Sequence, residues 1–431
     1  MDDVVTPPYD VIDEQAQAAF FRKTPYSMIQ LDLSKNYNTD APTGERYAAA
    51  RATFDAWQRD GILVRDEQPA FYVYHTDYRI PSGKRFTRKG FVAQVGLAEF
   101  AEGVVKPHER TFPGVTSDRL KLMEACEAHF SSIFSLYADP TGEVMGLLDP
   151  GAAAPLFEVH DQDGCRHALW PVADPDALRR VSGFFADKSL YIADGHHRYT
   201  TALQYRAIMR QRRGDIAEND PWNHVMMYLC AMEDPGLSVL PTHRLLRLPH
   251  AADVDRVLEC LREAFEVEEV SGGSREGLVE EALGRMVEAG SRTVFGFYHA
   301  GTDRCFLLRL LPGVMERHFA SSMPRIMLDL DVVVLSELVF ERLLGVAHGR
   351  LEQEKLIRYF SDPDDALDVA VKESAVPGAQ SPLLFLMNGT PVSQVRDVAD
   401  AGLIMPHKST YFYPKVLTGL LMNRMAAGET I

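Results

Sequence analysis

The sequence predicts a mixed α/β protein, and three patterns along the chain support this fold class. Residues 251–312 follow the order helix, strand, helix, strand, strand in their hydrophobic spacing. Two strand-like stretches, 70–75 and 90–97, flank the turn-forming residues 81–84. A strand-like run at 189–193 passes through an Asp-Gly turn directly into a helical pattern, which is typical of α/β sheets.

The remaining elements follow from capping residues and hydrophobic spacing. The prolines of Pro7-Pro8-Tyr9-Asp10 require an extended segment, and Asp13 is the expected cap of the next helix. Further helices are expected at 43–59, 117–128, 175–184, 332–344 and 391–401, and strands at 132–137, 225–231 and 383–387. Four segments are predicted: an N-terminal strap with helices (1–69), a site domain (70–245), a small α/β module (246–320) and a C-terminal region packing back on the site domain (321–431).

Length and charge limit the classes of function. The 431 residues exceed what one hydrophobic core usually supports, so two or three cooperating modules are expected. The chain has 45 Lys and Arg residues and 61 Asp and Glu residues, so its net charge is −16. This balance argues against nucleic acid and membrane partners, since both require clustered basic side chains. A small phosphate ligand in a local basic pocket is compatible with it, and a homodimer is left open.

The cysteines and the apolar segments predict a cytoplasmic protein. No CxxC pair occurs, so neither a disulfide framework nor a thiolate zinc site is expected. No run reaches the length of a membrane span, and the first residues lack the basic head and apolar core of a secretory signal. The five cysteines are scattered at Cys126, Cys165, Cys230, Cys260 and Cys305.

The segment Asp194-Gly195-His196-His197-Arg198 is the most informative part of the chain. It joins a strand to a helix, so the first backbone N–H groups of the helix point toward the space above the strand end. The first turn of a helix favours acidic side chains, but here it carries two histidines and an arginine. An anion bound among them would reverse that mismatch. Phosphate is the natural candidate, and Asp194 is a candidate ligand for Mg²⁺ or a partner that orients a histidine.

Two other interpretations of this segment are weaker. In the first, Asp194 is only a helix cap and the histidines pair with surface carboxylates. In the second, His196 and His197 bind a metal; however, adjacent helical residues point about 100° apart and do not share a face.

Glu109 is the candidate acid/base group. It follows His108 in a loop with Lys106 and Arg110, and a proline-glycine turn and a helix come next. A carboxylate beside several cations can act as a general base or a metal ligand. Composition alone favours a surface loop in which Glu109 is paired with Arg110 or Arg119.

The order of His-Glu and, much later, Asp-Gly-His-His-Arg after a strand resembles the ParB/sulfiredoxin-like phosphoryl-transfer proteins, in particular the archaeal free serine kinases. The resemblance implies a ParB/sulfiredoxin-like core with an additional α/β module and a C-terminal extension. It also implies that Glu109 activates an acceptor hydroxyl, and that Asp194, His196, His197 and Arg198 form the phosphate and metal end. The segment between the two motifs is much longer here, which leaves nucleotide and acceptor open.

Over nearly its whole length the chain resembles a large bacterial and archaeal family of unassigned function. The resemblance rests on Pro-Pro-Tyr-Asp-Val-Ile near the start, His-Glu-Arg-Thr followed by Asp-Arg-Leu, Ala-Asp-Gly-His-His-Arg-Tyr, and residues 405–415. In that last segment Lys408 is a candidate phosphate contact, and Tyr411 or Tyr413 are candidates for stacking on a base. A rigid strap with its aromatic side chains in the core is the alternative.

Gly44-Glu45-Arg46-Tyr47 superficially resembles a phosphate motif of ParB proteins, but no strand precedes it, and a surface helix is expected there.

The leading hypothesis is a phosphotransferase that uses ADP or ATP, Mg²⁺ and a small hydroxyl-bearing acceptor. The alternatives are a nucleotide-binding switch without efficient turnover and a metal-dependent hydrolase.

Overall fold

The computed structural model describes residues 1–34, 44–214, 216–248, 253–290, 292–376 and 380–431. They form two compact units: unit 1 comprises Met1–Ser238 and Pro414–Ile431, and unit 2 comprises Val239–Tyr413. The mixed α/β class expected from the sequence is confirmed, because helices and several sheets alternate along the chain. The ParB/sulfiredoxin-like core and the four-segment division stay predictions.

Unit 1 is built on a large sheet with helices packed on it. Its helices are α1 (Glu14–Lys23), α2 (Ile29–Asp32), α3 (Glu45–Arg59), α4 (Pro113–Cys126), α5 (Glu143–Leu147), α6 (Pro175–Phe184) and α7 (His196–Arg213). Its strands are β1 (Phe71–Arg79), β2 (Arg85–Gly96), β3 (Val105–Lys106), β4 (Ala128–His129), β5 (Ile133–Tyr137), β6 (Phe157–His160), β7 (Arg166–Val172), β8 (Leu190–Asp194), β9 (His224–Ala231) and, near the C-terminus, β18 (Asn423–Arg424).

Unit 2 alternates helices and strands. Its helices are α8 (Val254–Arg262), α9 (Arg275–Glu288), α10 (Val314–Phe319), α11 (Arg325–Leu328), α12 (Asp331–Val333), α13 (His348–Gln353), α14 (Pro363–Ser374) and α15 (Val392–Asp400), with a π-helix at Val334–Leu343. The strands are β10 (Ser238–Leu240, whose first residue belongs to unit 1), β11 (His243–Leu246), β12 (Phe265–Val270), β13 (Val294–His299), β14 (Arg304–Leu310), β15 (Ile357–Phe360), β16 (Leu383–Leu386) and β17 (Tyr411–Tyr413). Among the described residues, six of these strands form a sheet in the order β12-β14-β13-β16-β11-β15.

Most elements lie where the sequence placed them, with differences at their ends. Asp13 caps α1 by accepting a hydrogen bond from the Ala16 N–H, whereas the helix expected from Ser117 already begins at Pro113. The helix expected at 332–344 is helical and buried, but it has π-type hydrogen bonds, as from the Leu344 N–H to the Val339 carbonyl. The predicted helix start at Thr43 lies outside the described residues, as do 251, 252 and 291 of the 251–312 module.

The sheet of unit 1 has one apolar and one polar face. Its order is β3-β8-β5-β9-β2-β1-β7-β6. Alternate residues point to opposite faces of a sheet, and one face supplies the core cluster with Val73, Phe91 and Met227, on which Tyr199 and Ala202 of α7 pack.

The opposite face carries polar and aromatic side chains. In the strand pairing Tyr74 lies opposite Gly90, Thr76 opposite Arg88, and Phe134 opposite both Tyr228 and Asp194. A register irregularity in β5 next to Phe134 allows Asp194 to pair there, and such bulges re-aim side chains beside functional sites.

The C-terminal segment of unit 1 crosses this polar face. The Pro414 carbonyl accepts a hydrogen bond from Nη1 of Arg88 at 2.6 Å, and the Leu417 N–H donates to the Tyr74 hydroxyl at 3.4 Å. Thr418 exchanges two backbone hydrogen bonds with Thr6. The two ends of unit 1 are thereby held together over the end of strand β8.

In the part of the chain that the structure describes, no helix is both long and apolar enough to traverse a membrane.

Candidate functional site

The turn between β8 and α7 requires a glycine. Gly195 caps α7 with φ +96°, in the left-handed region that L-residues with side chains disfavour. A Cβ atom at this position would also lie 2.9 Å from Nε of Arg198. The turn therefore brings the Arg198 guanidinium against the backbone, and Asp194 is the last strand residue rather than the helix cap.

Asp194 lies between two cations and exposes 13% of its side chain. Nη2 of Arg198 lies 2.5 Å from one carboxylate oxygen, and Nζ of Lys415 contacts the other. Burial alone would raise the pKa of Asp194, but Lys415 and Arg198 outweigh it and hold the pKa well below its ordinary value. Two cations thus meet at one carboxylate at the start of α7.

His196 is a neutral hydrogen-bond acceptor. Its Nε2 accepts a hydrogen bond from the His108 N–H at 3.3 Å, and the two imidazole rings meet edge to face at 4.7 Å. Burial, followed by the neighbouring His108, lowers the pKa of His196 far below 6.5. Burial likewise lowers the pKa of His108 to about 4. His196 therefore contributes no positive charge to the helix start, because its ring is shielded from water.

His197 makes a second contact with the same loop. Its Nε2 accepts a hydrogen bond from the Phe112 N–H at 3.0 Å, and the two rings stack at 5.8 Å with an angle of 21°. The histidine pair therefore fixes the 108–112 loop at both ends against the helix start. Glu109, half-buried, lies within the loop held between these two contacts.

The described residues do not fit a preformed metal centre. Among them no group of three or more His, Cys, Asp or Glu side chains is arranged to hold a metal ion. Both oxygens of Asp194 accept from cations, and Nε2 of His196 and Nε2 of His197 accept from backbone N–H groups. The arrangement therefore does not favour the hydrolase that was expected to use these residues as metal ligands.

A second buried charge cluster connects α2, α3 and α4. Arg119 binds Asp32 at 2.9 Å and Asp118 at 2.6 Å, and Arg46 also contacts Asp118. The ring of Tyr9 lies 4.3 Å below the Arg119 guanidinium.

This cluster corrects the expectation of a surface helix at residues 44–47. Tyr47 is buried, and its hydroxyl donates a hydrogen bond to Asp118 at 2.7 Å. Arg46 is also mostly buried, with 14% of its side chain exposed.

Several polar residues near the site were not predicted from the sequence. Sequence patterns placed Lys415 only in a terminal strap, and they gave no indication of a role for Arg88 or Asp32. The available signal for Lys415 was its position as a basic residue directly after Tyr413-Pro414. However, no local pattern links Lys415 to Asp194, which is 221 residues away in the sequence. Lys408 belongs to unit 2, where it is exposed with a left-handed φ of 57°; its phosphate contact stays a prediction.

The chain belongs to the family described as "Protein of unknown function (DUF1015)", whose model matches residues 1–333. No curated protein matches it in sequence. Among solved structures it is similar to a conserved hypothetical protein from Pyrococcus furiosus, at 16% identity and TM-score 0.34 over 75% of this chain and 92% of that chain. It is also similar to a free serine kinase variant in complex with ADP, at 14% identity and TM-score 0.35 over 75% and 91%. It is similar as well to SbnI with a C-terminal truncation from Staphylococcus aureus, at 10% identity and TM-score 0.31 over 76% of this chain and 85% of that chain. These scores are too low to assign an activity.

Proposed function

We propose that the protein is a phosphotransferase that moves a phosphoryl group from a nucleotide to a small hydroxyl-bearing acceptor. The observation that carries the proposal is the pair of cations, Arg198 and Lys415, that meets at Asp194 at the start of α7. Two cations beside the N–H groups at the start of a helix favour a bound anion. A terminal phosphate is the anion that such helix starts commonly receive.

Glu109 would act as the general base. The 108–112 loop is fastened to the helix start by two hydrogen bonds, from the backbone N–H groups of His108 and Phe112. A carboxylate in this loop is thereby held near the site where the phosphate would lie, as general-base catalysis requires.

The transfer step then balances as follows. Glu109 accepts the proton of the acceptor hydroxyl, and the acceptor oxygen forms a bond to the terminal phosphorus. The bond from that phosphorus to its bridging oxygen breaks, and the electron pair leaves with the nucleotide. Arg198 and Lys415 stabilise the negative charge that is spread over the phosphoryl oxygens. Mg²⁺, which the sequence predicts, would have to arrive coordinated by the nucleotide phosphates, so no step here depends on it.

The substitution Glu109→Gln tests this role, because it keeps the size of the side chain but removes the base. We expect turnover, followed by phosphorus NMR with ADP or ATP and a panel of hydroxyl compounds, to fall about 100-fold or more. Nucleotide affinity should change little. Glu67→Gln, at an exposed carboxylate of the same unit, is the matched control.

Full turnover by Glu109→Gln would remove Glu109 from the mechanism. Nucleotide binding by the wild-type protein without any product would instead favour the nucleotide-binding switch over an enzyme. Absence of nucleotide binding would contradict both.

A further inference from the structure

Unit 1 contains a small cavity beside Arg198. Its volume is about 40 Å³, enough for about three water-sized groups, since one water needs roughly 10–15 Å³. Tyr9, Arg119 and Arg198 form its polar end. The rest of the wall is mainly apolar and includes Leu122, Met123, Ala128, Phe130, Ile133 and Val225.

Thr201 lines this cavity with an unused hydroxyl. The residue is fully buried, and its Oγ1 has no hydrogen-bond partner in the part of the chain that the structure describes. Buried polar atoms are nearly always hydrogen-bonded in folded proteins, so each exception needs an explanation. A guest with a hydrogen-bonding group at this end of the cavity would supply the partner.

Arg198 provides the charge at the same end. A guanidinium group has five donor hydrogens. The described contacts occupy Nη1 with the Ser132 carbonyl at 2.5 Å and Nη2 with Asp194 at 2.5 Å. Arg119 also lines the cavity, and no Asp or Glu is among the described residues that line it. The guest should therefore be an anion.

The lining of the cavity decides between the common anions. The planar oxygens of a carboxylate match the fork of a guanidinium, and the carbon chain behind the carboxylate matches the apolar wall. The remaining oxygens of a phosphate group would face that wall without partners.

We infer that the cavity binds the carboxylate end of a small molecule, with Arg198 and Thr201 as donors and the apolar wall around the carbon chain. The inference rests on the proposed function in one respect. If the protein is a phosphotransferase, this molecule is the acceptor, which makes the acceptor a small hydroxy acid or amino acid.

The test is titration calorimetry of the full-length protein with L-serine, glycolate and ethanolamine. Ethanolamine is serine without its carboxylate, so we expect binding of at least one of the two carboxylates and not of ethanolamine. Thr201→Val keeps the shape but removes the hydroxyl, and we expect it to weaken carboxylate binding about tenfold. Thr200→Val is the matched control, because Oγ1 of Thr200 also has no partner but the residue does not line the cavity.

Ala128→Leu provides a second test by filling the cavity, and we expect it to abolish carboxylate binding while thermal unfolding verifies that the variant is folded. Failure of both carboxylates to bind wild-type protein overturns the inference. It is equally overturned when they bind and neither Thr201→Val nor a folded Ala128→Leu changes their affinity.

A parallel titration with ADP separates this inference from the proposed function. ADP binding without carboxylate binding overturns the cavity assignment alone. Carboxylate binding that depends on Thr201, without ADP binding, supports the cavity and contradicts the phosphotransferase.

Discussion

The sheets of the two units differ in what they bury. In unit 2 one face of the sheet packs Leu245, Leu307 and Leu384 into a hydrophobic cluster, and the aromatic rings of Phe297 and Phe385 pack on the other. In unit 1 one face is equally apolar, but the other carries the buried Arg88 and the mostly buried Asp194, which is paired with Arg198 and Lys415. This face of unit 1 therefore carries paired charges where the sheet of unit 2 carries mainly apolar side chains.

The ion pairs show the same difference. Arg119 and Asp32 expose 7% of their side chains each, whereas Arg304 and Glu269 of unit 2 expose 31% and 52%. Exposed pairs contribute little to stability, and buried pairs are no more stabilising than well-packed apolar side chains. Stability alone therefore does not explain the buried ion pairs of unit 1.

Arg244 of unit 2 is an exception, and its comparison with Arg119 of unit 1 has the largest expected effect. Arg244 is buried without an ion pair among the described residues, and it lies over the Tyr359 ring at 5.4 Å. We expect Arg119→Met to lower the free energy of unfolding by about 3–5 kcal/mol, because it leaves Asp32 buried without its partner.

Arg244→Met should cost about 1 kcal/mol or less, since no carboxylate is left behind. Urea unfolding measures both changes. Equal losses in the two variants would show that the charge networks of the units do not differ in this way.

The pH dependence of stability should have opposite signs at Asp331 of unit 2 and Asp194 of unit 1. Burial raises the pKa of Asp331 from 3.8 to about 6, so the stability that its neutral form contributes is present below pH 3.8 and is lost as pH rises through 6. Asp331→Asn should therefore stabilise the protein at pH 7 by roughly 2–3 kcal/mol, with no gain at pH 3.5.

For Asp194 the folded pKa lies below 3.8, so its contribution is present above about pH 4 and is lost as pH falls through the folded value. The difference in unfolding free energy between wild type and Asp194→Asn should thus shrink on acidification below pH 4. A difference that grows there would refute the paired state of Asp194.

The smallest expected effect compares two lysines of the C-terminal segment. Lys415→Met removes one of the two cations at Asp194, so the affinity for ADP should fall about tenfold. Lys408→Met, at an exposed side chain of unit 2, tests the contact that the sequence predicted. A larger loss of affinity at Lys408 than at Lys415 would transfer the phosphate contact to unit 2.

Local signals in the sequence predicted much of the fold. Asp13 caps its helix as expected, the helix at Pro175–Phe184 has the predicted bounds, and β8 passes through Gly195 into α7. Such features depend on residues a few positions apart, so they can be inferred from spacing and turn chemistry. The left-handed conformation of Gly195 and its contact with Arg198 are local features of this kind.

Long-range contacts and burial were not predictable in this way. Lys415 reaches Asp194, and Arg119 reaches Asp32, across long separations of sequence that no periodic pattern encodes. The charge state of His196 could not be predicted for the same reason, because its pKa depends on how much water surrounds the ring in the folded chain.

By itself the sequence determined the strand–turn–helix that carries 194–198, the loop that carries Glu109 and the mixed α/β class. Only the tertiary structure decided that two histidines fasten that loop to the helix start, and that Lys415 joins Arg198 at Asp194. The physical reason is that local backbone conformation depends on neighbouring residues, whereas charge state and ion pairing depend on which distant segments exclude water from the same space.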